Sequence, residues 1–352
     1  MTRQIIDTTT NNGAYIGDPA VVAFEKVNEN FAELYDLQGQ LATRSGKNKL
    51  INGTMNVWQR QISFALPASA GIYTADRWLF NTGAGVSATV SRIQMALGEV
   101  DLFPWSMAIG ISALGGGVNM RQSIEGVHTL GGRTAILSFW ARANAAGAAL
   151  GTRGTQVFGS GGSANTSLVG GGNISLTTGW VRYTVPLTVP GIVGKVIGGN
   201  NCLQIIFDFL APTTYWIVGV QLEEGPDRTD FEYPFASDEL QRCMRYYEKS
   251  YDIGVFPGTG SGFGRCGEFL GVNPRNTANS WVQRFSVMKR ATPSLAVYAS
   301  ENGQANAVSQ ASGTNVAINS LGAVGQNGFQ VTYVNGSGQY GASFHYTADA
   351  EF

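Results

Sequence analysis

Leu203-Gln204-Ile205-Ile206-Phe207-Asp208-Phe209 and the earlier Val181-Arg182-Tyr183-Thr184-Val185-Pro186-Leu187 decide the fold, because both are apolar at every second position. A period of two puts Leu203, Ile205, Phe207 and Phe209 on one face of a strand, and Val181, Tyr183, Val185 and Leu187 on one face of another. Trp216, Val218, Val220 and Leu222 read the same way, and Leu137 and Phe139 face opposite to Trp140 and Arg142. Working outward, short alternations separated by glycine-rich turns run from Leu50 to Phe235. That spacing predicts an antiparallel β-sandwich, a jelly roll, over residues 47–235. The piece Gly147–Gly172 lies between strands, so it reads as a mobile loop or a glycine-tolerant hairpin inside that domain.

Before the sandwich, Gly17-Asp18-Pro19 opens a helix, with Asp18 as its cap and Pro19 in its first position. Phe24, Val27, Phe31, Leu34, Gln38 and Leu41 follow at alternating intervals of three and four, the seam of a coiled coil. The seam suits a bundle of identical chains, and two phenylalanines and a glutamine along it allow three strands. Val21 and Leu37 widen the stripe, so a helix docked on its own chain is the other reading. With the polar linker after Ala42, this segment fills residues 1–46.

Beyond the sandwich, Ser237-Asp238-Glu239 signals a second helix, and Leu240, Cys243, Met244 and Tyr247 share one face of it. It predicts a linking helix over 236–250. Residues 251–352 return to strands, with Trp281, Gln283, Phe285 and Val287 alternating, then Phe329, Val331 and Tyr333, and then Ala342, Phe344 and Tyr346. The stretch Asn302–Gly328 reads as loop. The fold class is mainly β, with a small β-domain at the C-terminal end.

Composition narrows the function. Only 13% of the 352 residues are charged, while 47 are glycine; an average soluble chain carries about 25% charge. The net charge of −1 offers no basic field for nucleic acid. No apolar run approaches the roughly 20 residues of a membrane span, and the start lacks a secretory core, so the expectation is a chain made in a cytoplasm without export. Cys202, Cys243 and Cys266 are too few and too scattered for a disulfide framework or zinc site. They read as packing residues, and no cofactor is implied.

For catalysis, the acidic candidates are Asp208, Glu223, Glu224, Asp227, Asp230 and Glu232, densest in the turn Glu223–Asp230. Nothing nearby sets one carboxyl apart from another, as glycoside hydrolysis requires. The same oxygen-rich turn is a weak option for a structural calcium. His128 and His345 lie in β-patterned segments away from any nucleophile elbow and read as hydrogen-bonded surface or edge residues. The chain therefore reads as no enzyme. Sugar binding suits it better, because aromatic rings stack on the apolar faces of pyranoses while amides and hydroxyls satisfy their polar groups. Tyr251, Phe256, Phe263 and Tyr340 stand among glycines outside the alternation and are the candidate contacts, on a surface suited to neutral glycans.

Several blocks resemble a known family. Gly17-Asp18-Pro19 with Ala23–Tyr35 is similar to the short N-terminal motif of bacteriophage and prophage tail fibre proteins. Asn52-Gly53, Trp58-Gln59-Arg60, Tyr73–Trp78 and Leu137–Arg142 resemble the jelly-roll module that such proteins carry, itself similar to carbohydrate-binding modules. Gly219–Gly225, Cys243–Lys249 and Tyr346–Glu351 continue the likeness in the same order. The resemblance implies a virion protein of the tail, usually a homotrimer, whose N-terminal segment attaches to another tail or baseplate protein and whose distal domain contacts a bacterial surface glycan or other receptor. A structural virion component, as baseplate, collar or head fibre, is the alternative, and a depolymerase tailspike a more distant one.

Overall fold

In the computed structural model, residues 5–14, 16–42, 46–96, 98–100, 102–269, 278–310, 313–334 and 341–352 are described, without the side chains of 33, 35–42, 268 and 269. Two units result, Met1–Asn48 and Lys49–Phe352.

The first unit holds the helix Ala20–Ala42. The Asp18 carboxylate accepts the Asp7 amide at 2.8 Å and pairs with Lys26 at 2.7 Å, tying the leading segment to the helix start. Phe24, Phe31 and Leu34 are exposed on this helix and Val27 is half-buried. The side chains of Gln38 and Leu41 lie outside the described residues.

In the second unit the alternating segments form two antiparallel sheets packed face to face, a jelly-roll sandwich within a mainly β chain. One sheet runs in the order Ser63–Ala65, Ser87–Gln94, Trp105–Ala113, Thr214–Glu224, Thr134–Ala143, Val181–Thr188, Val169–Gly170. The other, called the amide sheet below, runs Gly172–Ser175, Ala149–Val157, Cys202–Phe209, Val118–Glu125, Leu79–Thr82, Gly71–Tyr73. Leu137, Phe139, Leu203, Ile205, Phe207 and Phe209 all point into the core between them. The glycine-rich piece is ordered as strand Ala149–Val157 and short partners.

One alternation breaks. Trp216 and Val218 face outward, whereas Val220 and Leu222 enter the core, because a bulge shifts the register between Val218 and Gln221. Gly219 carries it at φ 64°, and a Cβ there would meet the Trp140 and Phe103 rings at 2.5 and 2.6 Å. Only glycine fits both the left-handed conformation and that close approach.

The linking helix is shorter than expected. It covers Ala236–Met244 after the non-polar N-cap Phe235, and Tyr247–Lys249 instead pairs as a strand with Thr347–Asp349. Pairing with a distant strand overrides the helical spacing of Tyr247. Asn302–Gly328 is likewise not a loop, for it contains strands Ala307–Gln310 and Asn315–Gly325. Together with Gly328–Val334, Ala278–Arg284, Ser294–Ala299 and Cys266–Phe269 they build the C-terminal sheet around Gly341–Asp349.

That sheet is bolted to the sandwich. Arg77, 1% exposed, pairs with the buried Glu351 and lies 3.3 Å from the centre of the Tyr246 ring. Arg60 reaches Asp349 at 2.8 Å, Gln59 donates to the Tyr247 carbonyl at 2.8 Å, and Arg290 donates to the Ala350 and Glu351 carbonyls. Asp76, fully buried, accepts from the Gln59 backbone and side-chain amides, with Arg60 at 3.7 Å. The blocks around Trp58, Tyr73, Cys243 and Tyr346, scattered in sequence, meet at this junction.

Candidate functional site: the amide sheet

Of the expected distal contacts, Tyr251, Phe256 and Phe263 lie among the described residues, in unlike surroundings. Tyr251 is buried, stacked on His345 at 3.8 Å, and Phe256 is half-buried with the Lys249 ammonium 5.5 Å from its ring centre. Phe263 is exposed, and Tyr340 lies outside the described residues. With His345 stacked on one face, the Tyr298 ring 6.3 Å away and 4% of its surface exposed, Tyr251 has no free face to offer a sugar.

The acidic turn is structural. The Glu223 carboxylate accepts the Thr229 amide, the Thr229 hydroxyl and the Gln221 amide, at 2.9, 2.6 and 2.9 Å, so it closes its own loop. No cluster of metal-ligating side chains occurs among the described residues. His128 is exposed, but His345 is fully buried, which corrects the surface reading. Its ring nitrogens sit 2.9 Å from the Ser250 hydroxyl and 2.9 Å from the Ser261 carbonyl, and burial pushes its pKa down.

Aromatic rings do line the outer face of the first sheet, yet the protein uses them itself. The Arg142 guanidinium lies between Trp216 and Trp180, 4.5 and 5.1 Å from the ring centres, and Arg182 covers Trp140 at 4.3 Å. Trp180 donates to Glu99 at 2.9 Å, which also draws Arg142 to 3.6 Å. Over the remainder Phe103 packs edge-on against Trp140 and Phe231, and Tyr233 edge-on against Phe231 and tilted against Phe103.

The outer face of the amide sheet is different. Register places Gly71 beside Asn81, Asn81 beside Asn119, Asn119 beside Asp208, Asp208 beside Gly151, and Gly151 beside Asn173. These residues form a single row across six strands. At about 4.8 Å per strand, its polar groups extend roughly 20 Å from Asn81 to Asn173. The alternation forces this: Val118, Met120, Phe207 and Phe209 enter the core, so Asn119 and Asp208 must point out.

Glycine keeps the row low. A Cβ on Gly71 would stand 3.1 Å from the Asn81 Oδ1, and one on Gly151 would stand 3.2 Å from both the Asn173 Oδ1 and the Asp208 Cβ. A depression of about 450 Å³ opens above the row, reaching the turn at Gly116 and Gly117. Asn81 donates to Asn119 at 3.4 Å, and Arg153 grips Asp208 at 2.7 and 3.1 Å. The next rows inward carry Arg121 and Ile206, then Ser123, Gln204 and Thr155. Gln204 donates to Ser123 at 3.2 Å. At the far end, burial works against the Glu125 charge, but the Arg245 hydrogen bonds at 2.7 and 2.9 Å overcome it and hold its pKa below the usual carboxylate range.

Carboxamides carry donors and acceptors together, so such a row can bind vicinal hydroxyls in either role. It offers no nucleophile and base in contact and no carboxylate pair apart from the arginine partners. Sequence reading missed it, because no residue in the row is unusual by itself. The available signal was the polar member of each alternation, Asn119 and Asp208 among them.

No protein-family model matches the chain, and no curated protein matches it in sequence. Among solved structures, the enzymatically active domain of tailspike protein 4 of bacteriophage CBA120 aligns with 51% of this chain at 16% identity and a TM-score of 0.32, and the alignment spans 22% of that chain. The family 11 carbohydrate-binding module of Clostridium thermocellum aligns with 47% at 11% identity and a TM-score of 0.29, over 98% of its length. The CBM22-1 xylan-binding domain of Paenibacillus barcinonensis Xyn10C aligns with 49% at 14% identity and a TM-score of 0.29, over 99% of its length.

Proposed function

We propose that this chain is a non-enzymatic attachment protein that binds a cell-surface glycan through the amide sheet. The observation that carries the reading is the row Asn81, Asn119, Asp208 and Asn173, held in register over a glycine floor on an open sheet face. Each group presents hydrogen-bonding atoms outward at strand spacing, which suits an extended polyhydroxylated chain laid across the strands. The motif blocks of the sequence support a place on a bacteriophage tail, with the N-terminal segment held by another virion protein. The exposed Phe24, Phe31 and Leu34 support self-association into a trimer. Three modest sites per trimer raise avidity by about 10²–10⁴ when they engage together.

Affinity electrophoresis of the purified protein through gels containing bacterial surface polysaccharides tests the reading. Wild type is retarded by at least one polymer, and Asn119→Ala combined with Asn173→Ala abolishes the retardation at unchanged melting temperature. Retardation that survives the double substitution refutes the site. Polymer shortening during incubation refutes the non-enzymatic assignment.

A further inference from the structure

We propose that the glycan bound by the amide sheet is acidic, with a sugar carboxylate seated on Arg121; this rests on the glycan reading of that sheet. The other charged groups on the face are neutralised within the protein. Arg153 is held by Asp208 through two hydrogen bonds, and Arg245 by Glu125 through two more. Arg121 has no ion-pair partner among the described residues, and its Nε is buried without a hydrogen-bond acceptor.

Position makes the residue usable. Arg121 leaves the same strand and the same face as Asn119, two residues further on, which is about 7 Å along the strand. Its register neighbours are Leu79 and Ile206. An apolar floor of that kind lowers the local dielectric and strengthens any charge pair formed above it. The planar fork of arginine matches the two oxygens of a carboxylate, whereas a lysine would offer only a point charge. A chain whose hydroxyls meet Asn119 and Asp208 brings a ring carboxylate within reach of Arg121. Arg121 is thus a cation without an ion-pair partner among the described residues, on the outer face of the amide sheet one row from Asn119 and Asp208.

The test uses the full chain with polygalacturonate, alginate and hyaluronan, each paired with its carboxyl-reduced form, in which the uronic acid has become a neutral sugar. At least one acidic polymer should bind roughly 10- to 100-fold tighter than its reduced partner, the range of a charge-assisted hydrogen-bonded pair. Arg121→Gln should erase that difference, Arg121→Lys should restore part of it, and added salt should weaken only the acidic member. Both variants should melt with wild type. Equal binding of acidic and reduced polymers, unaltered by Arg121→Gln but weakened by Asn119→Ala with Asn173→Ala, overturns the acidic assignment and leaves the glycan reading standing. Binding indifferent to the asparagine substitutions, or none to any polymer of the set, overturns the glycan reading along with it.

Discussion

Removing Glu351 tests whether the C-terminal sheet and the sandwich stand or fall together. Its carboxylate is the partner of Arg77, whose side chain is 1% exposed, and Glu351 itself is 3% exposed. In Glu351→Ala the guanidinium keeps the Tyr246 ring beneath it and the Ser123 carbonyl beside it, but loses the charge that balanced it. Breaking a buried pair from one side costs about 3–5 kcal/mol. At about 2–4 °C per kcal/mol for a domain of this class, the melting temperature falls by on the order of 10 °C. Differential scanning calorimetry and urea unfolding read this directly. The companion double variant, Arg77→Met with Glu351→Leu, removes both charges and should recover most of the loss, to within about 2 kcal/mol of wild type, because apolar groups of similar volume replace buried pairs at little cost. A Glu351→Ala protein melting within about 2 °C of wild type would refute the reasoning, since it would mean that the chain end frays and hydrates Arg77 without disturbing either sheet.

Other outcomes follow from the same geometry. Burial pushes the Asp76 carboxyl up to about 6, against the pull of Arg60 and the Gln59 amides. A folded value raised above the unfolded one, about 3.9, adds stability that is complete below the unfolded pKa and is lost as pH rises through about 6. The stability difference between wild type and Asp76→Asn should therefore shift by on the order of 2 kcal/mol between pH 4.5 and 7.5, in favour of wild type at the acid end; a pH-independent difference would contradict the assignment. Gly219→Ala, at φ 64° with two aromatic rings within 3 Å of the new carbon, should lose roughly 2–4 kcal/mol in urea unfolding, and an unperturbed midpoint would remove the account of the bulge. Phe24→Ser with Phe31→Ser should reduce the proposed trimer to monomer in sedimentation equilibrium, and a mass equal to that of wild type would show that the exposed seam is not the joint.

What the sequence disclosed depended on how local the governing forces were. The alternation of Leu203, Ile205, Phe207 and Phe209 is set by two-residue geometry, and the sandwich core follows it. The phase of Val220 was hidden because a bulge at Gly219 inserts an extra residue, and its cause is the distant Phe103 and Trp140 rings. Tyr247–Lys249 carried helical spacing, but its pairing partner lies about a hundred residues later, at Thr347–Asp349. The stretch Ala307–Gly325 lacks charge, and Val308, Val316, Ile318, Leu321 and Val324 are spread thinly among Ser, Asn, Ala and Gly, with register shifts between Ile318 and Ser320 and between Gly322 and Gly325 that break the alternation. The candidate site was illegible for a related reason. Its row draws on six strands between Gly71 and Asp208, and only the register aligns them. Likewise, neither Arg121 nor Arg153 differs in sequence from any surface arginine, and only the structure shows that one has a carboxylate and the other lacks one.

The most direct test of the glycan account is a crystal structure of the full chain soaked with the oligosaccharide released from a retained polymer. The account predicts sugar density along Asn81, Asn119, Asp208 and Asn173, crossing the strands, with a ring carboxylate on the Arg121 guanidinium. Density on the tryptophan face, or around Phe263 in the C-terminal sheet, with the amide row bare, would contradict it.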